Sequence, residues 1–156
     1  DLPSAPGYGR GFACGIYDHK SYVAVSADIF IDHRTKKIKV ERICCVQDVG
    51  MAINPDQLRA QIESNLVWSI GMALIERLDI GEGLVGSDNF HNYPIPRMSD
   101  MPRLEIEIIS QPNIPPAGAG EVALIAGTPA ISNAVRDATG DRILRLPIAF
   151  DNAWLS

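Results

Sequence analysis

Basic clusters, metal-ligand spacings and long apolar runs are all scarce in this chain. Of its 156 residues, 14 are Lys or Arg and 19 are Asp or Glu, a formal net charge of −5. The densest basic stretch is Lys36-Lys37 with Arg34 and Lys39 close by. That is too thin to track a phosphate backbone, so nucleic acid is not an expected partner. No window approaches the roughly 18 apolar residues of a membrane span, and residues 1–7 have neither the basic start nor the apolar stretch of a signal peptide. His19, His33 and His91 are isolated, with no HxH, HxxxH or HExxH spacing, so no protein-ligated metal is expected. Cys14, Cys44 and Cys45 form no CxxC, and adjacent residues of a strand face opposite ways, which suits burial of a thiol better than a shared metal. A P-loop, a Rossmann glycine fingerprint and a GxSxG elbow are also missing, which leaves phosphoryl and acyl transfer without support.

What is present reads as a globular chain with 46% hydrophobic and 21% charged residues. Surface scaling for 17.0 kDa allows about 70% of the unfolded surface to be buried, enough for a core without disulfides or metal. Residues 21–47 predict a β-hairpin, rich in β-formers from Tyr22 to Ile31, and residues 10–17 predict a third strand. The apolar alternation of Ile38 and Val40 shifts phase after Arg42. Asn54-Pro55-Asp56 is a helix start, with a capping amide, a proline in the first turn and an acid at the positive dipole end. Leu58, Ile62, Leu66, Ile70 and Leu74 then recur every four residues, predicting a long helix over 55–78 that crosses a sheet face. Leu104–Ile108 alternates strictly, as a strand with one dry face does. Thr128-Pro129 predicts the start of a shorter helix that Gly140 stops, and 142–155 reads as a return strand or docked arm. The expected fold is α+β, a mostly antiparallel sheet covered by one long and one shorter helix, with functional loops at 48–54 and 112–121.

The second loop concentrates the chemistry. Pro112, Pro115 and Pro116 stiffen it, Gly118 and Gly120 remove side-chain bulk on either side of Ala119, and Glu121 follows at once. Such a loop lets backbone approach a ligand while holding one carboxylate at its edge as a general base. From composition alone, a loop glutamate in solvent beside a flexible glycine turn is the favoured reading, since GxGE by itself is a weak motif. Gln61, within the apolar period of the long helix, is either an amide contact to a ligand or the partner of a nearby backbone group. Asp48, before Val49-Gly50, is suited to orienting the turn ahead of that helix.

Three blocks taken together carry a resemblance. The stretch Val46-Gln47-Asp48-Val49-Gly50-Met51-Ala52-Ile53-Asn54-Pro55, continued by Gln61-Ile62-Glu63, resembles D-x-G-x-x-x-N-P…Q-x-E-G-G in the large subunit of the molybdenum hydroxylases, the xanthine dehydrogenase and aldehyde oxidoreductase family. Asn89-Phe90-His91-Asn92-Tyr93 through Arg97-Met98 to Pro102 is similar to a segment of the branch containing isoquinoline 1-oxidoreductase β subunits. Pro115-Pro116-Ala117-Gly118-Ala119-Gly120-Glu121, then Pro129-Ala130-Ile131-Ser132-Asn133-Ala134 and Ala138-Thr139-Gly140-Asp141-Arg142, resembles that family's P-x-G-x-G-E…P-A-x-x-N-A…A-T-G-x-R ending. Ser64-Asn65 stand where the family pattern has paired glycines.

The resemblance implies a molybdopterin-binding domain, with the cofactor as molybdopterin or its cytosine dinucleotide. It also implies that residues 1–156 form a C-terminal domain, one fragment of a larger subunit whose remaining segments complete the cofactor cleft. By the same resemblance, Glu121 is the base toward water at molybdenum during hydroxylation of an aldehyde or N-heterocycle, and hydride passes to the cofactor. Gln61 contacts the pterin, and Gly118, Ala119 and Gly120 line the approach to the metal. Electrons leave through 2Fe-2S clusters on a partner subunit, and the isolated chain is expected to be inactive. The compartment, cytoplasmic or periplasmic, stays open. Two other readings remain at this stage: a scaffold relic of the same fold, and a stand-alone acid–base enzyme using Glu121.

Overall fold

The computed structural model describes Pro3 and residues 5–149. Its first half is three long strands, β1 (Tyr8–Tyr17), β2 (Ser21–Asp32) and β3 (Lys37–Asp48), each antiparallel to the next. The phase shift after Arg42 is a β-bulge: Asp28 pairs with Arg42 and Ile29 with Val40, so Glu41 is the extra residue. A small exposed hairpin follows later, β4 (Ile80–Gly81) and β5 (Leu84–Val85), with Glu82 and Gly83 at positive φ in its two-residue turn. The strand β6 (Arg103–Ile109) then returns parallel to β3, giving the sheet order β1-β2-β3-β6. The expected α+β fold with a mostly antiparallel sheet is what is seen.

One face of the sheet is dry. Val25, Ala27, Ile29, Ile43 and Cys45 point from it into a core closed by Ile62, Leu66 and Ile70 of α1 (Pro55–Ile70) and Ile131 and Val135 of α2 (Leu124–Thr139). Burial there pushes the Cys45 thiol up to about 12. The Asn54 side chain accepts the Gln57 N–H at 3.1 Å, the predicted cap. The helix ends earlier than the predicted residue 78. Gly71–Ile75 form a π-turn, the Glu76 N–H donates to Gly71 O at 2.7 Å, and the backbone is extended at Glu76. Leu78, at the predicted end of that helix, is consequently exposed.

The second helix is longer than predicted, starting at Leu124, so Thr128 is no cap and Pro129 lies inside it. It rests directly on β1, where a Cβ at Gly9 would lie 2.2 Å from Ala134 O and one at Gly11 would lie 2.0 Å from Ala130 O. At the crossing of the helices, a Cβ on Gly127 would lie 2.1 Å from Ser69 Oγ. Gly140, at φ +84°, ends α2 as expected. Residues 142–149 form a docked arm with no strand. Ile148 is buried, and its N–H donates to Ala73 O at 2.7 Å, covering a carbonyl of the π-turn. Residues 150–155 of the predicted arm lie outside the described residues.

The opposite sheet face carries a charged row. Asp28, only 5% exposed, accepts from Arg10 Nη2 and Arg42 Nε at 2.9 Å each, and hydrogen bonding to Arg10 holds its carboxyl below the usual range. Glu105 completes the row, accepting from the Cys44 thiol at 3.3 Å and pairing with Arg103 at 3.0 Å. No helix of the described chain is long and apolar enough to cross a membrane.

Candidate functional site

The two predicted loops form one structure. Gly50 sits at φ +71°, where a Cβ would lie 2.4 Å from Pro115 O, so only bare backbone lets the loops meet. The Gln111 N–H donates to Gly50 O at 2.9 Å, Met51 N–H to Ile114 O at 3.0 Å, and Ala117 N–H to Val49 O at 2.8 Å. Asp48 ties both sides, accepting from Gly50 N–H at 2.9 Å through Oδ1 and from the Gln111 amide at 2.5 Å through Oδ2. Its turn-orienting role is as expected.

Beyond Ala117 the loop is held by its carbonyls. Ser21 Oγ, at the start of β2, donates to Gly118 O at 2.6 Å. Gln61 Nε2 and Asn65 Nδ2, one turn apart on α1, both donate to Gly120 O, at 2.7 and 2.8 Å. Ala119 packs against the core between them. These peptides are trans, so each carbonyl tied to the body turns the next N–H the other way. Those N–H groups belong to Ala119 and Glu121, and neither finds an acceptor among the described residues.

Gly118 and Gly120 have no internal reason to be glycine. Neither has positive φ; a Cβ on Gly118 would meet only the Tyr17 ring at 3.7 Å, and one on Gly120 would meet nothing within 4 Å. Bare backbone is therefore presented outward at both, beside the exposed Glu121. This cradle suits a polar cofactor that approaches closely and brings its own metal chelate. Among the described residues no three His, Cys, Asp or Glu side chains gather into a metal-binding group.

The predicted Gln61, Gly118, Ala119, Gly120 and Glu121 are thus brought to one place. Of the two roles considered for Gln61, its amide nitrogen takes the backbone one, while the side chain stays exposed. Ser21 was missed, and nothing in its sequence neighbourhood signals it. Asn65 was visible only as a departure from paired glycines, yet it is 1% exposed, and its Oδ1 accepts the Leu124 N–H at 3.2 Å. The side chain that caps α2 thus comes from α1, which explains the misplaced helix start. A cavity of about 1010 Å³ lies at the far end of β2 and β3 among Phe30, Lys37, Ile70, Leu74 and Asp100, and none of the site residues line it.

The profile of the molybdopterin cofactor-binding domain matches residues 9–102. The chain is similar to a nicotinate dehydrogenase subunit of Pseudomonas putida, 35% identical over 90% of this chain and 12% of that protein. It is similar to the β subunit of isoquinoline 1-oxidoreductase from Brevundimonas diminuta, 32% identical over 90% of this chain and 18% of that one. The aldehyde oxidoreductase structure from Desulfovibrio gigas superposes with a TM-score of 0.71 at 28% identity, covering 81% of this chain and 14% of that one. The chain thus spans less than a fifth of the length of each. With the profile matching more than half of the chain, from β1 through all of α1, the chain belongs to the molybdopterin cofactor-binding domain family.

Proposed function

We propose that this chain forms one wall of the cofactor cleft in the catalytic subunit of a molybdopterin-dependent hydroxylase, with Glu121 as its general base. The single observation that carries the proposal is the tied loop. Three side chains from two elements hold the Gly118 and Gly120 carbonyls, and a carboxylate follows at the outward edge. Bound molybdopterin supplies the two-electron redox chemistry. Glu121 receives at its carboxylate the proton that a water molecule gives up as its oxygen becomes the nucleophile. Gly118, Ala119 and Gly120 offer bare or small backbone and the free Ala119 and Glu121 N–H groups to the cofactor side. Gln61, its Nε2 committed to Gly120 O, keeps its amide oxygen for a donor on the pterin.

The substrate class is an aldehyde or N-heterocycle, in line with the relatives named for nicotinate, isoquinoline and aldehyde. The chain acts as the C-terminal domain of a larger subunit, with molybdopterin in free or cytosine dinucleotide form, and electrons leave through a 2Fe-2S partner. The test is Glu121→Gln in the cofactor-loaded enzyme. Molybdenum and pterin content stay at wild-type levels and turnover falls at least about 10²-fold, the scale of a lost general base. Unchanged turnover refutes the assignment.

A further inference from the structure

We propose that Asn65 is a positioning residue for Glu121, an inference that rests on the reading of Glu121 as the base. Two amide donors converge on one oxygen. Asn65 Nδ2 at 2.8 Å and Gln61 Nε2 at 2.7 Å fill the acceptor capacity of Gly120 O. That carbonyl belongs to the peptide unit that continues into Glu121, so fixing its direction fixes the plane from which the Glu121 Cα departs. A single donor leaves such a plane free to rock about its hydrogen bond. Two donors from the same helix face define it.

Asn65 does more than Gln61 because it is buried and held at every polar atom. Its Nδ2 also donates to Gln61 O at 2.7 Å, and its Oδ1 accepts from Leu124 N–H at 3.2 Å. The first of these contacts sets the side chain on its own helix. The second grips the residue three places after Glu121. The three-residue stretch 121–123 is thus held at both ends by one side chain, through Gly120 O before it and Leu124 N–H after it. Glu121 is exposed and has no hydrogen bond of its own among the described residues, so its placement comes from this backbone grip. The paired-glycine pattern that this chain otherwise resembles has no side chain to do this. Asn65 is therefore a feature of this sequence, and Ser64 beside it, exposed and pointing elsewhere on the helix, has no such part.

The experiment compares Asn65→Ala, Asn65→Asp and Ile70→Val in the cofactor-loaded enzyme, alongside Glu121→Gln. Asn65→Asp keeps an acceptor for the Leu124 N–H and removes the donor to Gly120 O, which separates helix capping from loop clamping. Ile70→Val loses a core methyl group from the same helix and serves as the stability control. For both Asn65 variants the expected result is unchanged molybdenum and pterin content, a kcat lower by about 10- to 100-fold with KM little changed, and faster amide hydrogen exchange at 119–124. Ile70→Val lowers Tm and leaves kcat alone. Wild-type kcat and exchange in both Asn65 variants overturn the proposal. So does an equal kcat loss in Ile70→Val, which marks the effect as general destabilisation. If Glu121→Gln turns over normally, the reading of Glu121 fails and takes this one with it. If Glu121→Gln is inactive while both Asn65 variants turn over normally, the positioning role alone fails.

Discussion

Two Gly-x-Gly pairs in this chain look alike in sequence and should respond to alanine in opposite ways. In Gly9-Arg10-Gly11 the bare backbone serves the fold. A Cβ on Gly11 would sit 2.0 Å from Ala130 O and 2.2 Å from Ala134 N, both backbone atoms of α2 with no flexible side chain to give way. Ordinary contact needs more than an ångström of extra separation, so α2 must lift off β1, straining the Asn133 amide bond to Phe12 O and the Arg10 N–H bond to Asp137. Overpacking of this kind costs about 3 kcal/mol, a fall in Tm of roughly 6–12 °C for a chain of this size. In Gly118-Ala119-Gly120, on the proposed function, the bare backbone serves the ligand. Alanine at Gly120 meets nothing within 4 Å, and the position has no positive φ, so the folded protein is unaffected or gains up to about 1 kcal/mol from the stiffer unfolded chain. Cofactor content or turnover should nevertheless fall. Thermal melts of the purified enzyme, elemental analysis for molybdenum and fluorescence of the oxidised pterin check both halves. A Gly11→Ala protein with wild-type Tm refutes the close-crossing argument, and a Gly120→Ala protein with full cofactor and full turnover refutes the cradle.

Two further outcomes follow from buried polar groups. Asp28, depressed by its hydrogen bonds to Arg10 and then Arg42, contributes stability that is present above the unfolded carboxylate value of about 4 and is lost as pH falls through its lower folded value. Asp28→Asn should therefore lower Tm at pH 7 by an amount corresponding to about 1.5 kcal/mol, the low end for charged hydrogen bonds because both arginines reach water. The gap should narrow as the pH falls below the unfolded carboxylate value, and a gap that stays constant throughout the acid range contradicts the linkage. Gln47 is fully buried with neither amide atom bonded among the described residues, so Gln47→Met should raise Tm by roughly 2–4 °C, the equivalent of about 1 kcal/mol. A fall in Tm instead would mean that a buried water holds the amide.

What could be read in advance follows the range of the forces involved. The start of α1 was legible because Asn54, Pro55 and Asp56 act within one turn, and its buried stripe because the period of Leu58, Ile62, Leu66 and Ile70 is local. The bulge was legible as a change of phase at Arg42, though not as the insertion of Glu41. The start of α2 was not, since its cap comes from Asn65 on another helix, and Thr128-Pro129 imitates a local cap well enough to displace the prediction by a turn. The early stop of α1 comes with the π-turn over Gly71–Ile75, closed by the Glu76 N–H to Gly71 O bond, which propensity does not encode. For the site, residue types and spacing pointed to Gly118, Gly120 and Glu121. The partners of their carbonyls, Ser21, Gln61 and Asn65, lie 97, 59 and 55 residues away and become neighbours only once the sheet and α1 are assembled.

The tip formed by β4 and β5 stands clear of the other described residues: residues 80–86 are all exposed, and a Cβ at Gly81 or Gly83 would touch no neighbour within 4 Å. Extra sequence spliced between Glu82 and Gly83 lengthens the chain where neither core nor cradle registers it, at the small entropic expense of a longer loop. That makes the tip a handle. An affinity tag or a fluorophore seated there would let assembly of the parent enzyme be followed on intact molecules, without disturbing the residues whose roles are in question.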